Sequence, residues 1–144
     1  RDAASLFEGE HDFGAFMNKT TDARETVRRV SDCSAIRDDG GLFLRVKGKG
    51  FLYKQVRHMV GALLLVASGH MSMDAIMTAL DQGEACVRSG QRKWTPAPAC
   101  GLHLMNVEYA CGSVIIPAPY NLNLTTRTGT RDGDAGNAVR AVDA

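Results

Sequence analysis

A short stretch in the middle of the chain holds the side chains best suited to chemistry. Lys54, Arg57 and His58 lie within five positions, and Gly61 follows one helical turn after Arg57. A guanidinium can form paired hydrogen bonds to a carboxylate or a phosphate, and a glycine allows another backbone or a ligand to approach closely. The cluster therefore suits phosphate binding or pairing with a buried carboxylate. Periodicity alone favours a simpler interpretation, in which these residues form the solvated face of an amphipathic helix.

The helix that must position this cluster is predicted over residues 51–68. Apolar side chains there follow a single helical stripe, formed by Leu52, Val56, Met59, Val60, Leu63 and Val66. The basic cluster lies off the stripe, so the pattern predicts first turns that are apolar on one side and basic on the other. Gly69 is expected to end this helix. A second helix is predicted to begin after the favoured N-cap Ser72 and to end at Gly83.

The remaining patterns predict an α+β domain. Asp38-Asp39-Gly40-Gly41 is a strong turn signal, so the flanking strands are expected to form a hairpin. Phe13 and Phe16 are expected to enter the core from a loop. A second loop, which contains two prolines, is expected at residues 90–101. Strands are predicted at residues 26–36, 42–47 and 102–109. This order predicts an antiparallel sheet with helices packed on one face.

Composition limits the class of protein. The chain has 144 residues, of which 44% are apolar and 23% charged, as expected for one globular domain with a hydrophobic core. The chain has seventeen lysines and arginines and sixteen aspartates and glutamates, so any nucleic-acid-binding surface must be a local concentration of basic residues. The longest apolar run, residues 59–67, is too short to span a membrane. Residues 1–120 are assigned to the domain and 121–144, poor in large apolar residues, to a C-terminal tail.

The cysteines indicate neither a metal site nor a disulfide framework. Cys33, Cys86, Cys100 and Cys111 contain no Cys-x-x-Cys pair, and no two histidines have zinc-binding spacing. Free thiols in a reducing compartment are therefore expected, which does not distinguish cytoplasm, nucleus or organelle.

Three blocks of sequence together resemble the C-terminal part of the tRNA pseudouridine synthase A family. The first runs from Ala3 through the segment Gly-Glu-His-Asp-Phe to Phe16, and the third runs from residues 99–102 to Tyr109. Between them, residues 50–61 (GFLYKQVRHMVG) are similar to the hallmark segment of the family. The blocks occur in the family's order, with compatible spacing, over about residues 1–110. The resemblance implies the C-terminal half of a pseudouridine synthase fold.

The resemblance also implies a reaction and roles for two residues. The family converts uridine to pseudouridine in the tRNA anticodon stem-loop, without cofactor or metal. An aspartate attacks the nucleotide, and the base detaches, rotates and rejoins through carbon. The base must first leave its stack. Arg57 matches the arginine that keeps this aspartate ionised and oriented. Leu102 matches a leucine that packs against the target base, although an ordinary core position in a strand is an equal alternative.

Departures from the family pattern are equally informative. The Arg-Thr-Asp-Ala-Gly-Val-His motif that carries the catalytic aspartate is not found; the sequences at 37–40 and 131–136 are poor matches. The family's active-site tyrosine is also missing, and His58 replaces the usual asparagine. We therefore expect the missing N-terminal part of the same enzyme to supply the aspartate, and this chain alone to be inactive. A homodimer, common in the family, is a possible assembly.

Contacts with tRNA are expected from a set of six basic residues, although scattered surface charge is an equal alternative at most of these positions. The set is Lys47, Lys49, Lys54, His58, Arg92 and Lys93. Trp94 is expected either to stack on a base or, more simply, to anchor its loop in the core. A second hypothesis is a non-catalytic RNA-binding or assembly module that retains the fold.

Overall fold

The computed structural model describes residues 3–18, 25–38, 41–107 and 139–143, and these form an α+β fold, as predicted. The strands are β1 (Gly9–Asp12), β2 (Val27–Asp38), β3 (Gly41–Gly48), β4 (Leu102–Leu104) and β5 (Val139–Asp143). The helices are α1 (Gln55–Ala67), α2 (Met73–Gln82) and α3 (Glu84–Arg88). Short 3₁₀ turns cover Ala3–Phe7, Phe13–Phe16 and Ala99–Gly101.

The predicted hairpin is the centre of the sheet. Strands β2 and β3 pair antiparallel from Asp38 opposite Gly41 down to Val30, and β1 pairs antiparallel with the outer edge of β2. On β3, Leu44 and Val46 are buried, while Arg45 between them and Lys47 after them are exposed. This is the period-two alternation that the sequence predicts. The tip of the turn, residues 39–40, lies outside the described residues.

The other side of the sheet contains a strand that the sequence did not predict. The strand order is β1-β2-β3-β5-β4, and β5 pairs parallel with both β3 and β4. Residues 139–143 belong to the stretch assigned to a tail, whose proposed boundary at residue 120 lies outside the described residues. The antiparallel arrangement thus describes β1 to β3, whereas the β5 pairings are parallel. A period-two pattern indicates a strand but not the direction of its partner.

An aromatic cluster fills the core between the sheet and the helices. Phe7, Phe13 and Phe16 are each 0% exposed, and the Phe7 and Phe16 rings meet edge to face at 5.1 Å. Phe16 also stacks on Trp94 at 4.7 Å between ring centroids. Aromatic pairs in such geometries add about 0.5–1.5 kcal/mol to the effect of burial. The expectation that the loop containing Phe13 and Phe16 enters the core is confirmed.

The helix boundaries follow local capping chemistry. The Ser72 side chain accepts a hydrogen bond from the Ala75 amide at the start of α2, and Gly83 ends that helix, both as predicted. Helix α1 begins at Gln55, later than predicted, because Lys54 adopts a left-handed conformation with φ 63°. Leu52 is nevertheless buried, and its amide donates to the Gln55 side chain at 2.8 Å. No helix within the described ranges has the length and apolar character needed to cross a bilayer.

Candidate active site

Arg57 is held by the loop that follows α3. Its Nε donates to the carbonyl oxygen of Ala97 at 2.7 Å, and the Ala97 amide donates to the carbonyl oxygen of Arg57 at 2.9 Å. Two bonds in opposite directions therefore join the same pair of residues and orient the half-buried guanidinium. Among the described residues, its terminal nitrogens have no hydrogen-bond partner, and the one ion pair is Arg45 with Asp32 on the hairpin. Arg57 thus has donors that an anion could engage.

Gly61 explains why the loop can reach Arg57. A Cβ at this position would overlap the carbonyl oxygen of Thr95, and would lie 3.7 Å from the Ala97 nitrogen. The loop backbone therefore rests directly on α1, one turn beyond Arg57. The predicted close approach at Gly61 is confirmed, and the group that approaches is a backbone rather than a ligand. Space, not an unusual φ angle, requires the glycine here.

His58 does not lie on an exposed basic face. Its side chain is 0% exposed, and its Nε2 lies 2.8 Å from the Asn18 side-chain oxygen. Burial, followed by the positive charges of Arg92, Lys54 and Arg57, lowers the pKa of His58 from 6.5 to about 4. The imidazole is therefore neutral near pH 7. Helical periodicity placed His58 off the apolar stripe, but in the fold other segments close over it. Its contact with RNA stays a prediction.

Three of the predicted cationic residues share this neighbourhood. Lys54, Arg57 and Arg92 all act on the pKa of His58, although Arg92 comes from the loop after α3. The Arg92 Nη1 donates to the Met17 carbonyl oxygen at 2.9 Å, which ties this loop to the segment that carries Asn18. A local concentration of positive charge exists here in a chain of nearly balanced composition. This arrangement suits binding of an anionic group.

The remaining predicted residues lie in different settings. Lys47 on β3, Lys49 after it and Lys93 beside Arg92 are exposed, and their contacts with RNA stay predictions. Leu102 begins β4 and is partly buried against the hydrophobic core, so its proposed contact with the target base also stays a prediction.

Trp94 is an anchor of its loop. It is 4% exposed and stacked on Phe16, which confirms the simpler of the two interpretations of this residue. Sequence reasoning missed two residues of the site, Asn18 and Ala97. No local signal identifies Ala97, because it acts through backbone atoms. Asn18 becomes significant only when the fold places it against His58.

Comparison with known proteins supports the sequence resemblance. A family model described as tRNA pseudouridine synthase matches residues 3–110. The tRNA pseudouridine synthase A of Solidesulfovibrio magneticus is 42% identical over 115 residues, which are 77% of this chain and 39% of that protein. The enzyme of the same name from Acetivibrio thermocellus is 38% identical over 107 residues, 74% of this chain and 42% of that protein.

A third relative, the tRNA pseudouridine synthase A of Pseudothermotoga lettingae, is 36% identical over 110 residues, 76% of this chain and 43% of that protein. The chain thus spans about two fifths of the length of these relatives. The matched region includes β1, the hairpin, all three helices and the loop that holds Arg57. On this evidence, the chain belongs to the tRNA pseudouridine synthase family.

Proposed function

We propose that this chain is the part of a tRNA pseudouridine synthase that supplies the arginine partner of the catalytic aspartate and part of the RNA-binding cleft. The observation that carries this proposal is the setting of Arg57. The loop fixes its Nε through Ala97, while its terminal nitrogens have no partner within the described residues. Relatives named tRNA pseudouridine synthase A support the choice of reaction.

The proposed chemistry assigns one role to Arg57. An aspartate from another part of the enzyme would lie against the two terminal nitrogens, and the positive charge would keep this carboxylate ionised. The carboxylate attacks the nucleotide, and the uracil base detaches, rotates and rejoins through carbon. Arg57 transfers no proton in these steps, because a guanidinium stays protonated in proteins. The substrate in this proposal is a uridine of the tRNA anticodon stem-loop, without metal or cofactor.

Pseudouridine formation on tRNA by the full gene product tests the role of Arg57. We expect Arg57→Ala to lower turnover by orders of magnitude while the circular dichroism spectrum is kept. Arg57→Lys should not restore turnover, because an ammonium cannot bond Ala97 and also present a planar pair of donors to a carboxylate. Arg88→Ala is the matched control, since Arg88 is exposed on α3. A near-wild-type rate for Arg57→Ala would remove this residue from the active site.

A second candidate function is a non-catalytic RNA-binding or assembly module that retains the fold. The specific observation in its favour is that the aspartate motif of the family is not found in these 144 residues. The intact mass of the expressed gene product separates the two. A mass well above 15.5 kDa, with the aspartate motif in the additional sequence, favours the enzyme. A gene product of 15.5 kDa that binds tRNA without modifying it favours the module.

A further inference from the structure

Tyr53 presents an aromatic ring beside the candidate site. Its side chain is 56% exposed, and it lies immediately before the first turn of α1. Its carbonyl oxygen accepts a hydrogen bond from the Asn18 amide at 3.2 Å, so the Tyr53 backbone is held by the segment that also bonds His58. The Tyr53 ring is therefore exposed on a backbone that is held in place.

Lys54 has a backbone conformation that residues other than glycine rarely adopt. It is the one non-glycine residue with positive φ in the described part of the chain, at φ 63° and ψ 15°. A left-handed conformation costs a residue with a Cβ roughly 1 kcal/mol or more, which glycine would avoid. The retained side chain places its ammonium 5.1 Å from the centroid of the Tyr53 ring. Such outliers are a reason to look for function in the side chain.

The electrostatics around this pair favour an anion. The first turn of α1 contains no acidic residue, and it contains Arg57. The charge of Lys54 adds to those of Arg57 and Arg92 in lowering the pKa of buried His58. An exposed aromatic ring with an ammonium over it, inside a positive region, combines a surface for a base with a charge for a phosphate.

We propose that Tyr53 and Lys54 form a nucleotide-contacting pair in which the ring stacks on a tRNA base and the ammonium pairs with a neighbouring phosphate. This proposal rests on the proposed function and deepens it, because it adds an aromatic residue to the basic residues of the RNA-binding cleft. The pair lies at the same end of α1 as Arg57, so the stacked base belongs to a nucleotide near the one that is modified. Tyr53 contributes through its ring and not through its hydroxyl.

Binding of an RNA hairpin with the sequence of a tRNA anticodon stem-loop tests the pair. In fluorescence anisotropy with the full gene product, Tyr53→Ala should weaken binding about tenfold, because stacking on an aromatic residue typically contributes about 1–3 kcal/mol per base. Tyr53→Phe should bind like the wild type. Leu104→Ala, which removes a large apolar side chain that is 70% exposed, is the control and should have no effect.

A second measurement reports stacking directly. In Tyr53→Trp, the new indole should be quenched by the hairpin and much less by a fully paired RNA duplex, whose bases are already stacked. The native Trp94 is buried and provides a constant background. Glycine adopts the left-handed conformation without strain, so a loss of affinity in Lys54→Gly reports the loss of the ammonium contact. The salt dependence of RNA binding by this variant should fall by about one phosphate contact.

The outcomes separate this proposal from the one on which it rests. If the wild-type gene product fails to bind the hairpin, the RNA-binding cleft and the Tyr53 pair are both refuted. If it binds, and Tyr53→Ala binds equally well with no quenching in Tyr53→Trp, stacking by Tyr53 is refuted while the cleft stands. Binding by Lys54→Gly with wild-type affinity and salt dependence would refute the phosphate contact of Lys54.

Discussion

Replacing Gly61 with alanine tests how the loop holds Arg57. The new Cβ would overlap the Thr95 carbonyl oxygen and lie 3.2 Å from its carbonyl carbon. Since these are backbone atoms, no side chain can rotate to relieve the overlap. The loop has to move away from α1 by on the order of 1 Å to restore ordinary contact separations of about 3.5 Å. Such a displacement stretches both hydrogen bonds between Ala97 and Arg57.

The expected loss of stability follows from two opposing terms. The backbone bond contributes about 1 kcal/mol and the bond from the charged guanidinium about 2 kcal/mol, so losing both costs about 3 kcal/mol. Alanine is better than glycine inside a helix by about 1 kcal/mol, which offsets part of this cost. We therefore expect Gly61→Ala to lower the free energy of unfolding by about 2 kcal/mol, although helix propensity alone predicts an increase.

Urea unfolding followed by circular dichroism measures this difference. With a typical denaturant dependence of about 2 kcal/mol/M, the midpoint should fall by about 1 M. The fluorescence of Trp94, which lies in the same loop, should also change before unfolding begins. Gly50→Ala is the matched control, since a Cβ there meets nothing within 4 Å; its effect should be within about 0.5 kcal/mol. A midpoint for Gly61→Ala at or above the wild-type value, with unchanged Trp94 emission, would refute the reasoning.

Three further predictions concern His58, Arg92 and Ser72. Because folding lowers the pKa of His58 from 6.5 to about 4, the unfolded chain binds an additional proton between these values. Stability should therefore fall by up to roughly 3 kcal/mol as the pH is lowered from about 6.5 to 4, and His58→Asn should remove this component from urea midpoints measured across that range. Arg92→Ala should raise the pKa of His58 in an NMR titration, yet leave it below 6.5, because burial is the larger cause; an unchanged value would contradict the proximity of the two charges. Ser72→Ala should cost about 1 kcal/mol in urea unfolding and Ser72→Asp should cost little, because only the alanine loses the cap on α2; equal stabilities would show that the cap contributes nothing.

Elements with local signals could be predicted from the sequence. Ser72 caps α2 as predicted, because an N-cap acts on amides two or three residues away. The hairpin also forms where the turn signal placed it, since its two strands are adjacent in the chain. The predicted start of α1 was too early, because Leu52 continues the apolar stripe and is buried but is not helical.

Elements that depend on distant partners could not be predicted. Strand β5 is five residues long and obtains its hydrogen bonds from β3 and β4, which end at Gly48 and Leu104, far before it in the chain. His58 is buried and bonds Asn18, 40 residues away, so helical periodicity alone assigned it to an exposed face. The family resemblance indicated Arg57, but the bond to Ala97 that orients it is visible only in three dimensions.

The hydrogen bonds around Arg57 have a consequence for how the domain folds. Arg57 and Ala97 are 40 residues apart, as are His58 and Asn18, while Arg92 and Met17 are 75 residues apart. Closing loops of this length costs entropy that only the packed interior can offset. These contacts should consequently form late during folding, and their amides should exchange with solvent mainly when the whole domain opens. A shortened chain that retains α1 but omits the loop containing Ala97 would lack the partner that orients the guanidinium.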